Sequence, residues 1–83
     1  MTTPEQLRAA RALKGWSQPE VATAAKVSTM TVKRAEGSGK PPASADAVAR
    51  IRAALEAAGV EFIAENGSGP GVRLEKKGGK TLP

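Results

Sequence analysis

The tightest restriction on the fold of this chain comes from two helix starts set almost on top of each other. Ser17-Gln18-Pro19-Glu20 has the form of a capping box, in which the Ser17 hydroxyl accepts from the Glu20 backbone N–H and the Glu20 carboxylate reaches back to the Ser17 N–H. The helix it opens is predicted to run to about Ala25, with Val21, Ala24 and Ala25 inward. Ser28 caps a further helix, predicted over Thr29–Glu36. Only Lys26-Val27-Ser28 separates the two, and so short a link forces a large angle between their axes. The side chains fit such a crossing. Ala22 is small where the next helix passes close above it, Val32 anchors that helix inward, and Val21, Val27 and Ala35 supply further apolar contact.

The remaining elements follow from similar local signals. Thr3-Pro4-Glu5-Gln6 opens a first helix, with Thr3 as cap, Pro4 at the first helical position and Glu5 at the positive end of the dipole. Leu7, Ala9, Ala10 and Leu13 form its apolar face, and Gly15 ends it after Lys14. Gly37 to Pro42 reads as a loop. Ser44 caps a fourth helix that reaches about Ala58, with Val48, Ile51, Leu55 and Ala58 on one face and Gly59 beyond. Val60-Glu61-Phe62-Ile63 is the best strand candidate, Asn66 to Gly71 a turn, and Val72-Arg73-Leu74 a returning strand. The fold class expected is mainly α: a compact bundle of four to five helices containing a helix-turn-helix, plus a short C-terminal β-hairpin or dimer-forming strand. Residues 1–59 form the expected bundle, 60–75 a strand or hairpin suited to dimerisation, and 76–83 a mobile basic tail.

Charge is unevenly spread along the 83 residues, whose formal net charge is +5. Residues 1–40 carry seven basic and three acidic side chains, residues 41–65 two basic and four acidic, and residues 66–83 four basic and one acidic. The first segment suits a polyanion. With no Cys and no His, disulfides and Cys- or His-based zinc sites are excluded. No cofactor is expected. The carboxylates are scattered or placed at helix starts, Asp46 behind the Ser44 cap among them, which argues against an enzyme. No run is apolar enough to span a bilayer and the N-terminus lacks the pattern of a signal peptide, so a cytoplasmic, membrane-free protein is expected. One Trp, one Phe and no Tyr leave little for stacking on unpaired bases. Gly67-Ser68-Gly69-Pro70-Gly71 lacks the Gly-Lys-Ser/Thr ending of a phosphate loop and is read as a turn.

Three pieces in order and spacing carry a resemblance: Leu7-Arg8-Ala9-Ala10-Arg11; Trp16-Ser17-Gln18-Pro19-Glu20-Val21-Ala22; and Val27-Ser28-Thr29-Met30-Thr31-Val32-Lys33-Arg34-Ala35-Glu36. Together they resemble the phage Cro/CI repressor-like family, also called the Xre family, over roughly residues 5–58. The resemblance implies a lambda-repressor-like bundle whose recognition helix enters the major groove of double-stranded DNA, and a homodimer that reads a palindromic operator with half-sites about one helical turn apart. Position by position it implies base contacts from Thr29, Met30 and Arg34, with Lys33 near bases or backbone. It implies phosphate contacts from Gln18, Thr31, Ser38 and Lys40, and an internal ion pair between Arg11 and Glu36. Two departures stand out: Lys26 occupies a position where the family usually has Gly, and Ala35 replaces a bulkier residue. The stretch from Gly59 to Leu74 is also similar to the tail of small bacterial regulators of this family. Leu55, Val60, Phe62 and Ile63 are the candidate dimerisation residues, since cross-chain strand pairing would bury what a lone hairpin leaves exposed.

Bland readings compete at several positions. Arg34 can bond guanine O6 and N7 together or be a solvated basic residue; Thr29 and Met30 can meet a thymine methyl or be idle surface. Trp16 reads as core or as a cap over the junction of the first two helices. The function expected is a sequence-specific transcriptional regulator, a dimeric repressor rather than an activator, with no room for a ligand-sensing domain. An antitoxin or other protein-binding module that also binds DNA is the alternative, and non-specific architectural DNA binding a third.

Overall fold

A computed structural model of the chain describes residues 2–75; the basic stretch 76–83 lies outside the described residues. Four helices precede a two-stranded antiparallel sheet: α1 (Pro4–Lys14), α2 (Gln18–Ala25), α3 (Thr29–Ala35), α4 (Ala45–Ala57), β1 (Val60–Ile63) and β2 (Gly71–Leu74). The mainly helical bundle with a C-terminal hairpin expected from the sequence is the observed fold.

Each helix starts where a side-chain oxygen replaces a missing backbone acceptor. Thr3, Ser17, Ser28 and Ser44 accept from Gln6, Glu20, Thr31 and Ala47 respectively, and the first two starts are complete capping boxes. The first three helices also end alike. Backbone N–H groups of Trp16, Val27 and Ser38 donate to the carbonyls of Arg11, Ala22 and Lys33 at 3.1, 3.0 and 2.9 Å. This closure requires a left-handed residue just past the helix. Gly15 supplies it after α1 with φ 68°, and Lys26 supplies it after α2 with φ 59° and ψ 45°. The sequence places α3 as far as Glu36 and α4 as far as Ala58; both residues prove to be caps, one residue beyond the last helical turn.

The largest fully enclosed side chains of the core come from every element but β2: Leu7 from α1, Val21 from α2, Val32 from α3, Ile51 and Leu55 from α4, and Val60 from β1. Burying each such side chain contributes about 1.5–3 kcal/mol. Ala22 and Ala35 are buried at the crossing of α2 and α3, where small side chains let the two helices approach. Trp16 and Val27 pack against the edge of this core.

The hairpin pairs Val60 with Leu74, Glu61 with Arg73, Phe62 with Val72 and Ile63 with Gly71. Phe62 and Val72 lean on the core, while Arg73 and Glu61 form an exposed ion pair at 2.9 Å on the opposite face. Two features dock the hairpin. The Arg52 guanidinium lies 4.9 Å from the centre of the Phe62 ring, a favourable cation–π distance. Gln6, almost fully buried, donates through Nε2 to the carbonyls of Ile63 and Gly71 at 3.0 and 2.9 Å and accepts from the Thr3 N–H at 2.9 Å. One amide therefore serves both as the return half of the α1 capping box and as a clip on the last strand pair.

Leu55 and Val60, expected at a dimer interface, are only 0% and 1% exposed within a single chain. The Leu55 face of α4 and the inward face of β1 are covered by the chain's own helices. Of the expected interface set, Phe62 and Ile63 remain partly accessible. No helix among the described residues is long and apolar enough to cross a membrane.

Candidate nucleic-acid interface

Helix α3 has only seven residues, and its orientation follows from which two it buries. Val32 and Ala35 face the core. Helical geometry then turns Met30, Lys33 and Arg34 to the far side, with Thr29 at its flank. Met30 is 50% exposed, about as much as Leu74 and Leu13 elsewhere on the surface. Lys33 is exposed, and Thr29 and Arg34 are half-buried. The structure thus brings the four expected base-reading residues onto one short helix.

Arg34 differs from its neighbours. Its Nε is shielded from solvent and makes no hydrogen bond. The shielding fits the Gly37–Lys40 loop folding back along its stem, since a Cβ built on Gly39 would lie 3.9 Å from Arg34 Cγ. A buried donor left unpaired costs free energy, and the shielding keeps this Nε from an external acceptor as long as the side chain stays in place.

The expected phosphate contacts divide into two kinds. Ser38 and Lys40 are exposed on the loop that follows α3. Thr31 is half-buried and its hydroxyl lies 2.9 Å from that of Ser28, inside the α3 start. Gln18, the first residue of α2, donates from Nε2 to Glu36 Oε1 at 3.1 Å.

Glu36 is the hub behind this surface. It is 3% exposed. Arg11 binds both of its oxygens, Nε to Oε2 at 2.7 Å and Nη2 to Oε1 at 3.1 Å, and also donates to the Trp16 carbonyl at 3.2 Å. Arg8 donates to the Glu36 backbone carbonyl, where a cation suits the negative end of α3. Helix α1, the start of α2 and the end of α3 therefore meet at one carboxylate. The Arg11–Glu36 pair was implied by resemblance; the parts played by Gln18, Arg8 and Gln6 as internal bonds were not read from the sequence. For Gln6 a local signal existed, the Thr-x-x-Gln spacing of a capping box. For the others none did.

Ion pairing sorts the charges. Arg8, Arg11, Arg50, Arg52 and Arg73 each face a carboxylate, namely Glu5, Glu36, Asp46, Glu56 and Glu61. Among the described residues the basic side chains outside these pairs are Lys14, Lys26, Lys33, Arg34 and Lys40. All fall between the end of α1 and the loop after α3. Among the described residues, positive charge without a carboxylate partner is thus confined to the segment that holds the two crossing helices.

Two capped helices crossing over Ala22, with the second presenting a polar and basic face, define a helix-turn-helix protein of the kind that binds DNA. The helix-turn-helix domain family matches the chain over residues 5–62, and the chain belongs to that family. None of the curated proteins compared with the chain matches it.

Proposed function

We propose that the protein is a sequence-specific regulator of transcription of the Cro/CI, or Xre, type, acting as a homodimeric repressor on a palindromic operator in the cytoplasm. The observation that carries this reading is the joint placement of Thr29, Met30, Lys33 and Arg34 on the outward side of α3, inside the only described segment whose basic side chains lack carboxylate partners. In this reading α3 lies in the major groove. Arg34 takes the two acceptors of a guanine, Met30 lies against a thymine methyl, Thr29 and Lys33 flank them, and Gln18, Thr31, Ser38 and Lys40 hold phosphates. The hairpin at 60–75 supports dimerisation through its strand edges together with Phe62 and Ile63.

An antitoxin-like protein partner is the second reading. It is favoured by an apolar groove along the start of α4, lined by Thr2, Ala43, Ala45, Val48, Ala49 and Arg52.

Selection from a randomised duplex pool at near-physiological salt tests the proposal. The expected product is a two-fold symmetric motif containing a guanine whose preference disappears with Arg34→Ala. Recovery of no motif, with binding that vanishes as salt rises, would reduce the protein to a non-specific DNA binder.

A further inference from the structure

The Glu36 carboxylate holds more than an ion pair. A carboxylate only accepts hydrogen bonds, so the Gln18 amide must turn its NH₂ group, not its oxygen, toward Oε1, as the 3.1 Å contact shows. That NH₂ carries two hydrogens; one meets Glu36 and the other is left for a second acceptor. The amide oxygen, which would repel a phosphate, is directed away from the carboxylate. The charge of Glu36 is matched on both oxygens by Arg11, so an approaching phosphate meets a neutral pair and not a bare anion. Glu36 is also the residue that caps α3, so the amide it orients is tied to the end of the helix proposed to read bases.

We propose that Glu36 is a positioning residue for DNA binding: it fixes the amide of Gln18 with a hydrogen directed outward as a phosphate donor, and sets that donor in register with α3. The inference rests on the reading of Gln18 as a phosphate contact. Glu36 itself is buried and touches no DNA. Its effect on binding passes through the orientation of one neutral side chain, in addition to the part its carboxylate plays in joining α1 and α2 to the end of α3.

The test uses the full chain and the tightest duplex recovered from the randomised pool, prepared as a series in which each phosphate in turn is replaced by a neutral methylphosphonate. In the wild-type protein, beside the phosphates held by Thr31, Ser38 and Lys40, one further replacement per half-site, at the phosphate held by Gln18, is expected to weaken binding about tenfold, the size of one hydrogen bond to a charged group. Gln18→Ala should abolish that sensitivity. Glu36→Gln should abolish it too, because an amide at 36 no longer dictates which end of the Gln18 amide faces inward. Glu36→Asp, which retains a carboxylate for Arg11 but withdraws it from Gln18, should do the same and covers the case in which Glu36→Gln fails to fold. Combining Gln18→Ala with Glu36→Asp should weaken binding no further than Gln18→Ala alone. A Glu36→Asp protein that keeps the single-phosphate sensitivity, or whose loss of affinity adds fully to that of Gln18→Ala, overturns the positioning role while leaving the phosphate contact standing. A Gln18→Ala protein with wild-type affinity and an unchanged phosphate profile overturns the phosphate contact, and the inference with it.

Discussion

Lys26 shows how far one residue can be driven by the elements around it. Its left-handed backbone, φ 59°, is imposed by the turn between two capped helices. For a residue with a Cβ such a conformation is disfavoured by about 1–2 kcal/mol. Glycine removes that strain but loses more chain entropy on folding. Lys26→Gly is therefore expected to raise stability by about 0.5–1 kcal/mol, the strain relieved less the entropy lost, read as a higher urea midpoint with an unchanged slope. Arg34 is the residue on which sequence discrimination is proposed to turn. Arg34→Ala should weaken binding to the selected duplex by about 1–3 kcal/mol, the range for a bidentate guanine contact, and leave binding to duplexes lacking that guanine nearly unchanged. A titration against both duplexes checks it.

Among the elements, the hairpin is the one whose place in the molecule depends most on a few side chains. Two strands alone are marginal in water, and this pair is docked through Gln6, Arg52, Phe62 and Val72. Gln6→Ala removes both amide donors to the terminal strand pair and the return half of the α1 capping box. It should lower stability by about 1–3 kcal/mol, with backbone hydrogen exchange at Ile63 and Gly71 accelerating more than exchange in α2 or α3. The exposed face of the hairpin titrates. The Arg73 guanidinium hydrogen-bonds and attracts the Glu61 carboxylate, holding its pKa below the ordinary carboxylate range, while Glu61 raises that of Arg73. A depressed carboxylate pKa means that the stabilisation is present above the unfolded-state pKa and is lost as pH falls through the folded-state value. Hairpin exchange protection should accordingly decline as the medium is acidified through the carboxylate range, and Glu61→Gln should flatten that dependence.

For the molecule as a whole, the separation of paired from unpaired charge governs how it meets a polyanion. Lys33 and Lys40 are exposed without carboxylate partners, whereas Arg50 is bonded to Asp46 at 3.0 Å one turn away. Each unpaired cation that neutralises a phosphate releases counterions, so affinity should fall steeply with salt. Replacing Lys33 or Lys40 with Ala should shrink the slope of log affinity against log salt by about 1 each if both meet phosphates. Arg50→Ala should leave it unchanged, although it alters the net charge equally. A salt series with these three variants separates local charge placement from overall charge.

What the sequence determined by itself was most of what depends on near neighbours, although Ala9, Leu13 and Ala24, expected on inward helix faces, stand exposed because the bundle covers a narrower stripe of α1 and α2. Thr3, Ser17, Ser28 and Ser44 mark helix starts because a capping oxygen reaches only three residues along the chain. The spacing of Ala22, Val27 and Val32 defines the crossing of α2 and α3, and with it the outward face of α3. The tertiary structure alone decided which distant groups satisfy one another. Gln6 reaches carbonyls in the hairpin, and Gln18 reaches a carboxylate at the end of α3. Neither contact leaves a periodic trace, because each is a single polar pairing set by how whole elements stack. The same holds for Leu55 and Val60. Their apolar character marks them for burial, but whether a second chain or their own bundle covers them depends on the packing of α4 and β1, and in this structure their own bundle does.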